Sequence, residues 1–403
     1  MILERSLLAR NPKLVRRLKE MPDRDPIKSI IRHDNVSALR HSVVDRYSRA
    51  LNNLSSVYIF GAKLIGEKIA KDCQGAGIEV KAFLDNDEKM QNTCVHGIPV
   101  IKPSQAKERD TTVIIASQHL FDISCQLTDY GFLNALPYLV LSVYNSTDFP
   151  PDPMNEGLLE DMACSVSRYS EFYELLYDKR SKDTLLDLLR FRTTFDPRYL
   201  HSAGTAPELV YFDNFISLSG AEVFVDGGGF NGDTVNRFLT KTKGIYKKIH
   251  FFEPDLALLS QARQNLAGYS NIEFYGEGLF SKDDIMSFNA TGGLDGRIID
   301  NGELPIKVRA LDNAVDEEVT FIKLDVEGAE LAAIEGARRH IENELPVLAV
   351  CVYHNPYDLW RLPLFIKSIS NEYNYFLRHY GQAVTETVIY CVPQEKKTIV
   401  SDH

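Results

Sequence analysis

The residues with the clearest chemical potential are an acid and a group of glycines in the stretch VFVDGGGFNGDTVNRF, residues 223–238. Three apolar residues precede Asp226, and a helix-like pattern follows Thr234. In a strand–turn–helix unit, a glycine turn lets a ligand approach the backbone N–H groups at the start of the helix. The stretch therefore predicts a cofactor site that begins at Asp226.

The acid in front of the glycines distinguishes two classes of cofactor. A carboxylate at Asp226 would repel the diphosphate of NAD, whereas S-adenosylmethionine has no phosphate and carries a cationic amino group and sulfonium. Glu253 ends the next predicted strand, IHFFEP, where a carboxylate can accept both ribose hydroxyls of either cofactor. The pattern favours S-adenosylmethionine on the strength of Asp226. A glycine-rich turn that binds nothing is the alternative.

The elements that would position these residues are alternating strands and helices in residues 222–393. Five segments separated by helix-length stretches should form parallel strands: VFVDG, IHFFEP, IEFYGEG, TFIKLDVEG and VLAVCVY. A short polar loop joins YNYFLRHY to ETVIYCVP, which predicts an antiparallel hairpin. The pattern predicts an α/β protein whose C-terminal part has a Rossmann-like, class I methyltransferase fold with a seven-stranded sheet.

Several stretches together resemble the FkbM family of methyltransferases, over residues 211–393. They are VFVDGGGFNGDT, IHFFEPD, GLFSKDD, TFIKLDVEGAELAAIEGA, and LAVCVYHNPYDLWRLP with the terminal hairpin. The resemblance implies methyl transfer from S-adenosylmethionine, usually to hydroxyls of sugars or polyketide-like compounds. It implies that the glycine turn holds the methionine end of the cofactor, that Glu253 binds the ribose, and that Asp325 lies near the methyl group. The residues that it assigns to the cofactor are Asp226, Gly227, Gly228, Gly229, Gly232, Asp233, Thr234, Glu253 and Asp325, with Gly278, Leu279 and Phe280 beside the adenine.

An alcohol acceptor must lose its proton as the new bond forms, and histidine is the commonest group for that task. His354 directly follows the fifth strand and is predicted to be the general base, oriented by Asp325 or Asp358. A histidine that only binds substrate or caps a turn is the alternative. Asp325, Glu327 and Glu330 could instead bind a divalent cation. Because Glu327 and Glu330 are expected to open the next helix, they are interpreted as capping residues, and no metal is predicted.

Residues 55–150 form a second, smaller α/β segment. The stretch YIFGAKLIGEKIA carries Gly61 and Gly66, and Asp85 ends the next strand at the spacing of a ribose-binding acid. With FLDND and HGIPVI, it resembles the small Rossmann-like nucleotide-binding domain that precedes some sugar acyltransferases. A further glycine of the dinucleotide fingerprint is missing. Two interpretations stay open: a site for a nucleotide-linked sugar, or a structural module that binds nothing.

Charge and composition limit the classes of partner and the cellular location that the sequence allows. The net charge of −11 argues against a nucleic-acid partner, although residues 1–54 carry 12 Lys and Arg against 6 Asp and Glu. The six cysteines form no CxxC pair, no apolar segment reaches the ~20 residues of a membrane span, and the N-terminal stretch is charged. These features predict a cytoplasmic protein. The predicted domains are a helical segment over 1–54, the nucleotide-binding-type domain over 55–150, a helical connector over 151–219 and the methyltransferase domain over 220–403.

The predicted function is therefore an S-adenosylmethionine-dependent O-methyltransferase. Its acceptor would be a hydroxyl of a sugar, a glycan or a secondary-metabolite precursor, either free or linked to a nucleotide. One alternative is an NAD-dependent sugar-nucleotide oxidoreductase, but no Tyr-x-x-x-Lys helix follows the relevant strands. The other is a non-catalytic S-adenosylmethionine-binding protein. A homo-oligomer is compatible with the sequence.

Overall fold

The structure, a computed structural model, describes residues 25–32, 35–289, 297–298 and 304–394. Residues 1–24 and 33–34 of the predicted N-terminal segment lie outside the described residues. The helices are Pro26–Ile30 (α1), Val36–Arg46 (α2), Ser48–Leu51 (α3), Leu64–Gly75 (α4), Leu120–Asp129 (α5), Leu139–Tyr144 (α6), Leu158–Cys164 (α7), Val166–Leu175 (α8), Lys179–Thr194 (α9), Pro197–Ala203 (α10), Asp233–Thr242 (α11), Leu256–Asn265 (α12), Leu311–Ala314 (α13), Glu330–Gly336 (α14), Arg338–Asn343 (α15) and Asp358–Ile369 (α16).

The strands form three sheets. They are Ser56–Phe60 (β1), Glu79–Leu84 (β2), Cys94–Val95 (β3), Ile98–Ile101 (β4), Thr112–Ile115 (β5), Ala135–Pro137 (β6), Gly204–Thr205 (β7), Val223–Gly227 (β8), Lys248–Phe252 (β9), Ile272–Tyr275 (β10), Gly278–Leu279 (β11), Asp284–Asn289 (β12), Arg297–Ile298 (β13), Leu304–Arg309 (β14), Phe321–Leu324 (β15), Val347–Cys351 (β16), Tyr373–Tyr380 (β17) and Thr387–Pro393 (β18). The first sheet has six strands in the order β3-β4-β2-β1-β5-β6, and only the β3–β4 pair is antiparallel.

The second sheet has the order β10-β9-β8-β15-β16-β18-β17-β7. All seven strands predicted for it are present, with five parallel strands and the antiparallel β17–β18 hairpin. The prediction of seven strands was one short, because Gly204 and Thr205 of the connector add a parallel eighth strand beside β17. Two residues are too few to show a strand pattern in the sequence. A four-stranded sheet, β11-β14-β12-β13, was also not predicted.

The hydrophobic core joins the parts that the sequence treats as separate domains. One cluster of buried side chains includes Val57 of the first sheet, Leu188 of the connector and Ile322 of the second sheet. The opposite face of the second sheet has its own cluster, in which the rings of Phe224 and Phe238 stack with centroids 4.6 Å apart. The connector therefore packs as part of the core, and the domain boundaries stay predictions. None of the helices in the described ranges has the length and apolarity needed to cross a membrane.

Candidate active site

The turn that follows β8 packs too closely to accept side chains. Gly228 has a φ of +73°, and a Cβ on it would lie 1.8 Å from the carbonyl oxygen of Asp325. A Cβ on Gly229 would lie 2.3 Å from the ring of Phe251. Gly232, with a φ of +86°, is the N-cap of α11. The glycines therefore allow the turn to pass directly over the carboxyl ends of β9 and β15.

The N–H groups of this turn are used mostly within the protein. Those of Gly228 and Gly229 both donate to the carbonyl oxygen of Phe252 at 3.0 Å, and that of Phe230 donates to Glu253 Oε2 at 2.9 Å. The first N–H groups of α11 are among the donors that remain for a ligand, since a helix has no preceding carbonyls for its first turn. The expected anion site therefore lies at Asp233 and Thr234 rather than within the glycine run.

Asp226 forms an ion pair that the sequence did not predict. Lys323 Nζ lies 3.1 Å from Asp226 Oδ1 and also donates to the carbonyl oxygens of Gly227 and Gly228 at 3.2 and 2.6 Å. Burial raises the pKa of Asp226 to about 6, although Lys323 opposes this shift. Because Lys323 balances its charge, Asp226 does not act as the isolated acid that the sequence argument assumed. Its main structural role is to hold Lys323 against the carbonyls of the turn.

Glu253 lies at the end of β9, beside the glycine turn, and is 7% exposed. Its two carboxylate oxygens accept hydrogen bonds from the N–H groups of Phe230 and Asp255, each at 2.9 Å. Burial raises the pKa of Glu253 to about 7, against the effect of these two donors. Each oxygen has a second lone pair, so the carboxylate can still accept from ribose hydroxyls.

The residues expected beside the adenine lie near the same turn. Gly278 and Leu279 are buried in β11, and a Cβ on Gly227 would lie 2.8 Å from Leu279 Cδ1. The N–H of Phe280 donates to the carbonyl oxygen of Arg309 at 2.9 Å. These contacts bring the three residues to the cofactor edge of the sheet but do not test their role.

Asp325 follows β15 and is held by two tyrosines. Tyr211 donates to Oδ2 at 2.8 Å and Tyr353 donates to Oδ1 at 3.2 Å. Burial alone would raise the pKa of Asp325, but Lys323 and His354 hold it below its usual value. The side chain is 23% exposed, so this ionised carboxylate remains accessible.

His354 lies among three carboxylates and is 1% exposed. Its Nδ1 lies 2.8 Å from Glu330 Oε1, and its Nε2 lies 3.3 Å from Glu327 Oε2 and 3.5 Å from Asp325 Oδ1. Burial alone would lower the pKa of His354, but Glu330, Glu327 and Asp325 raise it well above its usual value. The three carboxylates therefore favour the protonated form of His354.

Asp358 does not orient His354 in the structure, contrary to one of the two predicted arrangements. Its Oδ2 accepts from Asn355 at 2.7 Å and its Oδ1 accepts from Arg361 at 2.6 Å. Glu330 takes the orienting position instead, because the turn after β15 brings it to Nδ1 of His354.

Glu327 does not have the predicted capping role. Helix α14 begins at Glu330, and Glu327 precedes it with a left-handed φ of +53°. Glu330 is fully buried and accepts from the N–H of Val326 at 2.9 Å. The ligand atoms of Asp325, Glu327 and His354 all lie within 4.8 Å of one another, a set that could hold a metal ion.

The first α/β unit uses its motif residues for packing. A Cβ on Gly66 would lie 1.9 Å from the carbonyl oxygen of Gly61, so helix α4 approaches the preceding turn closely. Asp85, expected to bind a ribose, accepts from the N–H groups of Ala62 at 2.9 Å and Asp87 at 2.8 Å. These contacts explain the motif without a nucleotide, and the likeness to acyltransferase domains is not confirmed.

Comparison with known proteins gives two informative matches. Residues 220–377 match the model of the methyltransferase FkbM domain. The crystal structure of methyltransferase FkbM from Methylobacillus flagellatus KT is 24% identical, with a TM-score of 0.72 over 88% of this chain and 98% of that chain. This second match shows a shared fold that extends well beyond residues 220–377. The match of residues 220–377 to the family model supports a methyltransferase.

Other solved structures match only part of the chain. An rRNA methylase from Streptococcus thermophilus is 16% identical over 44% of this chain and 88% of that chain, with a TM-score of 0.29. Aeropyrum pernix fibrillarin, in complex with S-adenosyl-L-methionine, is 11% identical over 44% of this chain and 70% of that chain, with a TM-score of 0.29. No curated protein matches the chain.

Proposed function

We propose that the protein is an S-adenosylmethionine-dependent O-methyltransferase that acts on a hydroxyl of a sugar, a glycan or a secondary-metabolite precursor. The observation that carries this proposal is the convergence of Asp226, Glu253 and Asp325 at the carboxyl ends of three adjacent strands, β8, β9 and β15. Ligands of such sheets bind at this edge, and the domain matches an FkbM methyltransferase model.

The contacts support one orientation of the cofactor. Its carboxylate would accept from the first N–H groups of α11, at Asp233 and Thr234, where the helix dipole also favours an anion. Its ribose hydroxyls would donate to Glu253, and its adenine would lie beside Gly278, Leu279 and Phe280. The sulfonium would then lie towards Asp325, whose carboxylate is ionised and accessible.

The reaction moves a methyl group from the sulfonium sulfur to the acceptor oxygen by in-line displacement. The sulfur–methyl bond breaks, an oxygen–methyl bond forms, the hydroxyl proton is released, and S-adenosylhomocysteine leaves. Positioning of the two reactants supplies much of the rate. We assign proton removal to the cluster of Asp325, Glu327 and His354, because it lies where the acceptor meets the methyl group.

His354 can serve as the base only after it loses its own proton. Three carboxylates favour the imidazolium, whereas a bound sulfonium, a second positive charge nearby, would lower the pKa of His354. Glu327 is the other group suited to this role, since burial raises its pKa and its side chain is 29% exposed. A bound cation that acidifies the hydroxyl is a different way to release the proton.

A contact between the two α/β units joins the carboxyl edge of the first sheet to a loop of the second. Gln118 follows β5 at the carboxyl edge of the first sheet, and its Oε1 accepts from the N–H of Val384 at 3.3 Å. Val384 belongs to the β17–β18 loop, which also carries Glu386. Burial and the nearby Asp325 raise the pKa of Glu386, so this loop reaches the methyl-transfer cluster. An acceptor held at the first sheet could therefore extend to the second.

Calorimetric titration of the purified protein with S-adenosylhomocysteine, NAD and a UDP-sugar tests the proposal. We expect one site for S-adenosylhomocysteine and none for NAD. Methyl-labelled S-adenosylmethionine should then transfer its label to at least one member of a panel of sugars, UDP-sugars and polyketide alcohols. Binding of NAD alone would support the oxidoreductase, and S-adenosylhomocysteine binding with no labelled product in the panel would count against O-methyl transfer to these classes.

A further inference from the structure

The three side chains that surround the expected acceptor have the composition of a cation site. Asp325 and Glu327 offer carboxylate oxygens and His354 offers an imidazole nitrogen, the donors that first-row divalent metals bind in proteins. We propose that Asp325, Glu327 and His354 bind one divalent transition-metal cation, such as Mn²⁺ or Zn²⁺, and that the acceptor hydroxyl occupies an open coordination position. The catalytic role of the cation rests on the proposed function, but its binding does not.

The distances within the cluster fit a shared cation. Nε2 of His354 lies 3.3 Å from Glu327 Oε2 and 3.5 Å from Asp325 Oδ1. Two ligands that each lie about 2.1 Å from a metal are separated by about 3.0 Å in octahedral and about 3.4 Å in tetrahedral geometry. The two distances from His354 therefore match those around one ion, and the two carboxylate oxygens lie within 4.8 Å of each other.

The surrounding contacts orient these atoms as they would around a metal. Glu330 Oε1 lies 2.8 Å from His354 Nδ1, which directs Nε2 towards the two carboxylates. A carboxylate on the second nitrogen of a metal-bound histidine is the usual arrangement in metalloproteins. Tyr211 and Tyr353 hold the carboxylate of Asp325, and Oδ1 keeps a lone pair after it accepts from Tyr353.

The charge of the cluster also favours a divalent cation. Three carboxylates, those of Asp325, Glu327 and Glu330, surround one imidazole, which leaves a charge of −2 even when His354 is protonated. Lys323 offsets this excess only in part, because it pairs directly with Asp226. A divalent cation that replaces the proton of His354 reduces the excess to −1. The sulfonium of the cofactor also brings one positive charge, but unlike a metal ion it cannot coordinate the carboxylates or the acceptor hydroxyl.

The backbone at Glu327 adds a separate indication. Glu327 adopts a left-handed φ of +53°, which costs about 1–2 kcal/mol for a residue with a side chain. Strained residues of this kind concentrate at functional sites. A glycine would adopt this φ without strain. The chain has a glutamate there instead, and its carboxylate lies 3.3 Å from Nε2 of His354.

The test is a titration of full-length, EDTA-treated protein with MnCl₂ and with ZnCl₂, followed by calorimetry and, for Mn²⁺, by electron paramagnetic resonance. We expect one site per chain. Glu327→Gln and His354→Gln should each weaken the affinity more than tenfold, and Glu330→Gln should weaken it about 10–100-fold through the orientation of His354. Glu335→Gln, on the exposed side of α14, is the matched control and should bind as the parent does.

A variant that removes the ligand and the strain together separates binding from folding. Glu327→Gly should lose the cation site and keep a thermal midpoint within a few degrees of the parent. Absence of a stoichiometric site, or unchanged affinity in the Glu327 variants, would overturn the proposal.

Parallel titration with S-adenosylhomocysteine distinguishes the two proposals. Cofactor binding and methyl transfer in EDTA would reject the catalytic role of the cation and keep the methyltransferase. A cation site without S-adenosylhomocysteine binding would reject the methyltransferase and keep the cation site.

Discussion

Lys323 and Asp226 face each other across β15 and β8 and form an ion pair with 2% and 0% of their side chains exposed. Removing one partner of such a pair leaves a buried charge without compensation, which typically costs 3–5 kcal/mol. We therefore expect Lys323→Met to lower the free energy of unfolding by about that amount, measured by urea denaturation at pH 7.

The double variant Asp226→Asn/Lys323→Met is the control for this prediction. Because it removes both charges, it should recover a large part of the lost stability. A double variant that is less stable than Lys323→Met would show that the pair is not the source of the effect.

Glu253 should make cofactor affinity depend on pH. Its pKa of about 7 means that the carboxylate gains a proton when the pH falls from 8 to 6. If only the ionised form accepts the ribose hydroxyls, the affinity for S-adenosylhomocysteine should fall about tenfold over this range. Calorimetry at pH 6, 7 and 8 measures this, and Glu253→Gln should bind weakly with little pH dependence.

Unfolding at low pH cannot explain the weaker binding of S-adenosylhomocysteine, because protonation of Glu253 stabilises the folded chain. The pKa of Glu253 is higher in the folded chain than the ordinary 4.5, so the folded state binds more protons between these values. Its contribution to the free energy of unfolding therefore falls as the pH rises from 4.5 to 7. An affinity that stays constant from pH 6 to pH 8 would remove Glu253 from the ribose site.

Tyr211 lies in the connector, before the matched domain, yet its hydroxyl holds the carboxylate of Asp325 at 2.8 Å. Tyr211→Phe should lower the free energy of unfolding by about 1.5–3 kcal/mol, since a hydrogen bond to a charged group is lost. Tyr353→Phe is the matched control and should cost less, because its hydroxyl lies 3.2 Å from the same carboxylate. Thermal denaturation of the two variants compares them, and equal or reversed losses would contradict this ranking.

How far the sequence predicts the structure depends on the kind of signal that each residue carries. Apolar runs and local turn chemistry indicate the seven main strands and the glycine turn, whereas the two-residue eighth strand carries no such signal. Lys323 lies within such a run and was interpreted only as a strand residue. Its ion pair with Asp226 could not be predicted, because it depends on the pairing of β15 with β8. Tyr211 reaches the site through a tertiary contact with Asp325, and no local pattern indicates it. Glu330 was interpreted as a capping residue, and only its contact with His354 shows its place in the site.

Gly228 should be the least replaceable glycine of the turn. An alanine there would place its Cβ 1.8 Å from the carbonyl oxygen of Asp325 at a φ of +73°. Overpacking and backbone strain together predict a loss of more than about 2 kcal/mol of stability. Gly268→Ala is the matched control, because nothing lies within 4 Å of its Cβ position. Denaturation midpoints that fall equally in both variants would contradict the close approach of the turn to β15.

His354 should be required for methyl transfer and not for cofactor binding. We expect His354→Gln to bind S-adenosylhomocysteine within about threefold of the parent and to lose at least 100-fold in transfer of labelled methyl, whether the imidazole acts as a base or as a metal ligand. His340→Gln is the matched control, since His340 is also fully buried and its Nδ1 lies 2.6 Å from Glu344 Oε2, outside the site. If His340→Gln loses as much activity as His354→Gln, general destabilisation explains both results; activity lost only in His354→Gln places the imidazole at the reaction.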